Sequence, residues 1–256
     1  MNLLLLVGIV GLLIGSFLNV CIYRIPKGES IVWPGSHCQH CGAAVKAYDN
    51  IPVLSYLVLL GRCRSCKAPI SPRYPVIELL TALMGLSLFM HFGPTISFLI
   101  YFIFSCALLV VTFIDLDHMI IPDVISLGGI GVGLWLVYFL PLSYKDALLG
   151  LALGAGGLLA VFYAYYFVTG REGMGGGDVK LLGMIGVFTG WQGVLFTIFM
   201  ASLVGSVVGV GWIMIKGKNM KAALPFGPFL ALGAYVYLLF GDRLIDWYFG
   251  WLAAGA

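Results

Sequence analysis

Apolar residues along this chain come in long unbroken runs and do not alternate with polar ones. Runs of this kind cover 2–23, 75–92, 95–114, 120–140, 145–168, 191–215 and 224–241. About 20 mostly apolar residues cross a hydrocarbon core as a helix, so each run predicts a transmembrane helix. A shorter stretch, 179–190, is close to the length limit, and its Gly183, Gly186 and Gly190 suit tight packing against neighbouring helices. Counting it gives about eight transmembrane helices with both termini on one side. A β-barrel is disfavoured, because barrel strands alternate apolar and polar positions. Between the first two runs, residues 24–74 form a polar loop bearing Pro and Cys. A loop this long is either functional or disordered. The expected organisation is an all-α polytopic membrane protein: a first transmembrane helix (1–23), a loop domain (24–74) and a further membrane domain (75–256).

Composition agrees. The chain is 61% apolar and only 10% charged, with a mean hydropathy of +1.04, whereas a soluble domain is roughly a quarter charged. Most of its surface therefore faces membrane lipid. A formal charge of +3 is too small to imply nucleic acid as a partner. The first run has no basic segment before it and no small-residue cleavage site, so it reads as a retained helix with its N-terminus outside. That orientation puts Arg24, Lys27, Lys46, Arg62, Arg64, Lys67 and Arg73 in a cytoplasmic first loop. Arg171 and Lys180 flank a Gly-rich segment on the same side, and Lys216, Lys218 and Lys221 lie in the last loop. Twelve of the fourteen Lys and Arg are then cytoplasmic, leaving Lys145 and Arg243 outside. This positive-inside bias favours eight spans over seven.

The loop carries Cys38-Gln-His-Cys41 and Cys63-Arg-Ser-Cys66. Two CxxC knuckles about twenty residues apart supply four thiolates to one tetrahedral Zn²⁺. So small a segment cannot bury enough core to fold alone, and a metal would staple it. Four thiolates leave no open position, so the zinc would be structural. Disulfides or a redox dithiol are the competing readings, the former disfavoured in the cytoplasm. His37 and His40 are alternative ligands, more simply bystanders. Cys21 and Cys106 fall in apolar helices and read as core.

Acids in membrane helices are costly and mark function. Asp115, Asp117 and Asp123 cluster with His118 and Pro122 between the third and fourth runs, and Asp178 ends Gly173-Met-Gly-Gly-Gly. The glycines do not make a phosphate loop, since no GxxxxGK[ST] follows a strand. They permit another chain to approach closely, as a protease must allow. Two carboxylates together at low dielectric share one proton, so one activates water while the other polarises a carbonyl. Capping or ion pairing is the plain alternative for Asp117 and Asp123, and Asp123 directly follows Pro122 at a helix start. The residues alone do not choose between Asp115 and Asp117.

In these motifs the chain resembles the type IV prepilin peptidases, membrane aspartyl proteases of the GxGD type. The resemblance runs through Gly15-Ser-Phe-Leu-Asn19-Val, Arg24-Ile-Pro26, Ser36-His-Cys38, Asp49-Asn-Ile-Pro52 and Gly61-Arg-Cys63. It continues in Arg73-Tyr-Pro75 with Glu78, Ile-Asp115-Leu-Asp117-His118, Gly175-Gly-Gly-Asp178 and Pro225-Phe-Gly-Pro228. It implies Asp115 and Asp178 as the catalytic pair; Asp117, His118, Asp123, Gly175, Gly177 and Lys180 are the candidate supporting positions beside them. It implies prepilins and secretion pseudopilins as substrates, cut after a short basic leader at the inner face of a bacterial inner membrane. It also implies a second activity, S-adenosylmethionine-dependent methylation of the new N-terminal amine, associated with the cytoplasmic loop. Glu29, Gly61 and Arg62 are the loop positions offered for the methyl donor, although no Gly-rich dinucleotide signature is present. Two other readings compete: a peptidase whose zinc loop only recruits substrate, and an ion-coupled transporter whose acids line a path. Transporters show related halves, and no half-repeat is visible here. The sequence carries no signal of oligomeric state.

Overall fold

The computed structural model describes residues 2–170, 175–216 and 224–254; among these it is helical, with isolated bridges in the first loop and no strand. The helices are α1 (Asn2–Arg24), α2 (Leu54–Val58), α3 (Arg73–Phe92), α4 (Ile96–His118), α5 (Asp123–Leu136), α6 (Tyr144–Leu151), α7 (Gly157–Thr169), α8 (Gly176–Lys216) and α9 (Gly227–Ala254). A π-turn at Ala152–Gly156 joins α6 to α7, making one continuous apolar segment, Tyr144–Thr169. Helix α8 has 41 residues, which at 1.5 Å per residue is about 60 Å, twice the thickness of a hydrocarbon core. Its backbone breaks at Gly190 (φ 71°, ψ −178°), a conformation that needs glycine. It is therefore two helices, divided where the sequence divides 179–190 from 191–215. The expected eight membrane helices are α1, α3, α4, α5, α6–α7, the two parts of α8, and α9.

The chain forms two compact units, Met1–Phe98 and Leu99–Ala256. In the first, α1 lies on α3 with the backbones almost touching. A methyl group at Gly11 would stand 2.6 Å from Ala82 Cα, and one at Gly15 2.6 Å from Glu78 Cα. Small residues permit this approach, which gives membrane helices their packing where water supplies no drive. Asn19 in α1 donates from Nδ2 to the carbonyls of Gly15 and Tyr74, each at 3.2 Å, fixing the end of α1 to the start of α3. The Arg24 guanidinium is buried and donates to the carbonyls of Ser30 (2.8 Å) and Gly35 (3.3 Å), winding the start of the loop around it.

In the second unit α8 is the hub, touching α5, α6, the π-turn and α9. A methyl at Gly150 would strike the Gly186 carbonyl oxygen, and one at Gly154 would stand 2.5 Å from the Leu182 carbonyl oxygen. Leu181, Leu182, Met184, Ile185 and Val187 are fully buried, so the short stretch 179–190 faces protein, as its glycines imply.

Some boundaries differ from the apolar runs. Helix α4 continues past residue 114 to His118, so Asp115 and Asp117 sit on its last turns and not in a connection. Helix α5 starts only at Asp123, because Pro122 is extended (φ −64°, ψ 129°). The last helix does not stop at 241 but runs to Ala254; Asp242, Arg243 and Asp246 end the apolar run without ending the helix. Arg171, Lys218 and Lys221, together with Gly173 and Met174, lie outside the described residues.

Candidate functional site

Asp115 is buried near the end of α4, only 5% exposed. Its Oδ2 accepts the backbone N–H of Gly227 at 3.0 Å. Gly227 is the first residue of α9, and the first N–H groups of a helix have no partner within it. Glycine leaves the carboxylate its place, because a Cβ there would stand 2.6 Å from Asp115 Oδ2. Asp178 lies in the first turn of α8, half-buried, with its N–H bonded to the Gly175 carbonyl at 3.2 Å. The two carboxylates are close enough to interact electrostatically. Ile121 abuts both glycines: a methyl at Gly177 would be 3.0 Å from its Cβ, and one at Gly227 3.3 Å from its Cδ1. The end of α4, the start of α8 and the start of α9 thus converge on one apolar wedge.

The neighbouring polar residues are placed differently. Asp117 and His118 are exposed on the last turn of α4. Asp123, exposed at the start of α5, accepts from Lys180 Nζ at 2.7 Å, which ties the first turn of α5 to that of α8. Gly175 and Gly177 flank Asp178 on its N-terminal side.

The two knuckles of the loop fold alike. Cys38 and Cys63 each bond the backbone five residues on, to Ala43 O and Ala68 O at 2.9 Å, and each carbonyl accepts the N–H four residues on, from Gly42 and Lys67. Gly42 (φ 71°) and Lys67 (φ 58°) make the same left-handed turn. All four cysteines are free thiols. Their sulfurs lie within 4.8 Å of one another, with Cys38 Sγ 3.9 Å from Cys66 Sγ. Tetrahedral zinc with Zn–S bonds near 2.3 Å needs sulfurs about 3.8 Å apart, so this set can hold such an ion. The backbone N–H groups of Cys41 and His40 pull the Cys38 thiol down to about 6. The Ala68 N–H favours the Cys66 thiolate, but desolvation and the other thiols push Cys66 up to about 11. Neither His37, whose Nδ1 is 3.1 Å from Gly35 O, nor His40 belongs to the set. Arg64 donates to both oxygens of Asp49, at 2.7 and 2.6 Å, linking the two halves of the loop and holding the Asp49 carboxyl below its usual range. Glu29 is exposed on the turn after α1, whereas Gly61 and exposed Arg62 are on the second knuckle.

Two residues stand out only in the structure. One is Gly227, signalled in the sequence only as part of Pro225-Phe-Gly-Pro228. The other is Glu78, buried in α3, whose Oε2 accepts the Val53 N–H at 2.8 Å; the sequence signalled it only as a companion of Arg73-Tyr-Pro75, with no partner.

Fold and site define a polytopic helical membrane protein with two acids brought together at helix ends and a four-thiol knuckle pair. The chain belongs to the type IV leader peptidase family: residues 102–210 match that family, and residues 9–92 match the bacterial Peptidase A24 N-terminal domain. It is 39% identical to a prepilin leader peptidase/N-methyltransferase of Pseudomonas aeruginosa, over 94% of this chain and 91% of that one. A protein of the same name from Aeromonas hydrophila is 39% identical (95% and 92% covered), and one from Legionella pneumophila 36% (96% and 94%). No solved structure matches the chain.

Proposed function

We propose that this protein is a membrane aspartyl endopeptidase that removes the short basic leader from type IV prepilins and pseudopilins and then N-methylates the new terminus. The observation that carries the reading is the meeting of Asp115 and Asp178, with Asp115 Oδ2 fixed by the Gly227 N–H. In this mechanism the pair shares one proton. The ionised carboxylate takes a proton from water, whose oxygen attacks the scissile carbonyl, while the protonated carboxyl donates to the carbonyl oxygen. The tetrahedral intermediate collapses with cleavage of the C–N bond, and the proton taken from water passes to the leaving amine. Gly227 keeps the Asp115 carboxylate from rotating through these transfers. The Lys180–Asp123 pair positions the start of α8 and hence Asp178.

The freed amine, once deprotonated, is methylated with S-adenosylmethionine as co-substrate, the C–N bond forming as the S–C bond breaks. Glu29, Gly61 and Arg62 are the loop positions we assign to this donor. Zinc at Cys38, Cys41, Cys63 and Cys66 holds the loop folded. The protein sits in the bacterial inner membrane with both termini outside and the acids near the cytoplasmic face; the concentration of Lys and Arg on the segments that join those helix ends supports this orientation.

Purified protein should cleave a prepilin in detergent, and Asp115→Asn and Asp178→Asn should each abolish cleavage while still methylating a pre-cleaved pilin. Full cleavage by Asp115→Asn would overturn the assignment and pass it to Asp117. Cleavage with no label transferred from labelled S-adenosylmethionine would reduce the protein to a peptidase.

A further inference from the structure

The loop between α1 and α3 exposes apolar side chains that neither the acid pair nor the thiol set uses. Leu54 and Leu57 are each 61% exposed, Val58 76% and Leu60 84%. Leu54, Leu57 and Val58 are spaced i, i+3 and i+4, so they form one face of α2. The opposite face is held down: Ser55 is buried, donates to the Tyr48 carbonyl at 3.0 Å and accepts the Ile51 N–H at 3.0 Å.

The height of this face is fixed by Glu78. Its bond to the Val53 N–H places the residue before α2 beside the sixth residue of α3, about 7.5 Å along the helix axis from Arg73. Helix α3 has 20 residues, about 30 Å, so it has no length to spare in spanning a hydrocarbon core, and its first turns must lie at the lipid boundary. Helix α2 therefore starts at the boundary between headgroups and acyl chains, within the roughly 5–10 Å depth to which interfacial apolar faces insert. Beyond it, Val58, Leu59 and Leu60 line an open groove of about 610 Å³ with Arg62, Arg64 and Lys67. Asp49 neutralises Arg64, so Arg62 and Lys67 give this groove its net positive charge. An exposed apolar face rimmed by cations at headgroup depth is the pattern of an element lying in a membrane interface.

We propose that Leu54–Lys67 docks onto the anionic surface of the same bilayer that α1 and α3 cross, with Leu54, Leu57, Val58 and Leu60 inserted among the headgroups and Lys67 paired with a phosphodiester. The docking tethers the second knuckle to the membrane surface, so the loop does not swing free in the cytoplasm.

The test is hydrogen–deuterium exchange on the full-length, zinc-loaded protein in nanodiscs of phosphatidylcholine alone or with added phosphatidylglycerol. Amides of residues 54–67 should exchange more slowly in the anionic discs, by about fivefold for each cation engaged, and salt should erase the difference. Leu57→Ser with Leu60→Ser should abolish the protection, and Lys67→Asn, which keeps the left-handed turn, should weaken it. All three positions are exposed, and unchanged exchange across α1 and α3 would confirm an intact fold. Equal exchange of residues 54–67 in both lipids would overturn the proposal. So would protection of residues 54–60 that follows added S-adenosylmethionine, a prepilin peptide or a second copy per disc in place of anionic lipid.

Discussion

Replacing Gly227 by Ala tests the contact on which the acid pair depends. The added Cβ would stand 2.6 Å from Asp115 Oδ2 and 3.3 Å from both Asp115 Cγ and Ile121 Cδ1. Ordinary contact begins near 3.4 Å, so the carboxylate must retreat by about 0.8 Å. Asp115 is buried at the end of α4, so the retreat moves the carboxylate away from Asp178 or rotates it off the Gly227 N–H. A displacement of about 1 Å in a catalytic group costs roughly 10²-fold in rate. The expected result is a fall of that order in kcat for prepilin cleavage, with KM little changed, because the perturbation acts through the position of the Asp115 carboxylate. Stability should hold, since alanine is the better helix former at the start of α9. Gly128→Ala is the control: it adds a methyl in α5 where nothing lies within 4 Å, and it should cleave at the wild-type rate. Wild-type kcat in Gly227→Ala, measured in the same detergent, would show that cleavage does not depend on where this bond puts Asp115.

Three further outcomes follow from the packing and the loop. Glu78→Leu should strip the acceptor from the Val53 N–H and cost about 1–3 kcal/mol, read as faster proteolysis of the loop, whereas Glu78→Gln keeps an acceptor and most of the stability. Gly186→Val drives side-chain atoms into the Gly150 carbonyl; at about 3 kcal/mol or more of overpacking, the protein should fail to accumulate in membranes. Chelation should remove one metal ion per chain and loosen residues 36–70. The Cys38 thiol is lowered from 9.0 to about 6, so its thiolate is available above that pH and lost as pH falls through it. Because Cys66 is pushed up to about 11, metal affinity in a competition titration should already fall as pH drops below about 11. The fall should be steepest below about 6, where Cys38 also takes up a proton, and a pH-independent affinity would refute thiolate ligation.

Five of the helices, the broken α8 counted as one, were legible because their apolar runs reach the thickness of a bilayer; the shorter ones, such as α5 and the stretch 179–190, were legible only as unbroken apolar runs between polar segments. Gly190 was legible for a different reason: it ends a short apolar stretch rich in glycine, and the backbone breaks there. The four cysteines were legible from spacing, which fixes the knuckle turn whatever surrounds it. The boundaries were less so. Helix α4 carries Asp115 and Asp117 inside its last turns because an acid costs a helix little once the end of the span is reached, and hydropathy stops counting there. The Gly227–Asp115 bond could not be read, since it joins residues 112 apart in the chain through a backbone N–H that has no sequence signature. Glu78 was visible only as a companion of Arg73-Tyr-Pro75, and its partner is again a backbone group, of a residue in left-handed conformation, Val53.

The same physics explains why the acids stand where they do. Inside hydrocarbon every backbone N–H and C=O is consumed within its own helix, so the middle of a span has no donor to spare for a carboxylate. Donors become free only in the first turn of a helix. Asp115 obtains one from the start of α9, and Asp178 stands in the first turn of α8 itself. A buried carboxylate pair in a membrane protein is thereby confined to a level where helices begin. That level requires α8 and α9 to start together, and the glycines at 177 and 227 let them do so without side chains filling the space. Ile121, pressed on both of those glycines, closes one side with apolar surface. Gly177 and Gly227 are thus two halves of one requirement, room for two helix starts beside a buried acid.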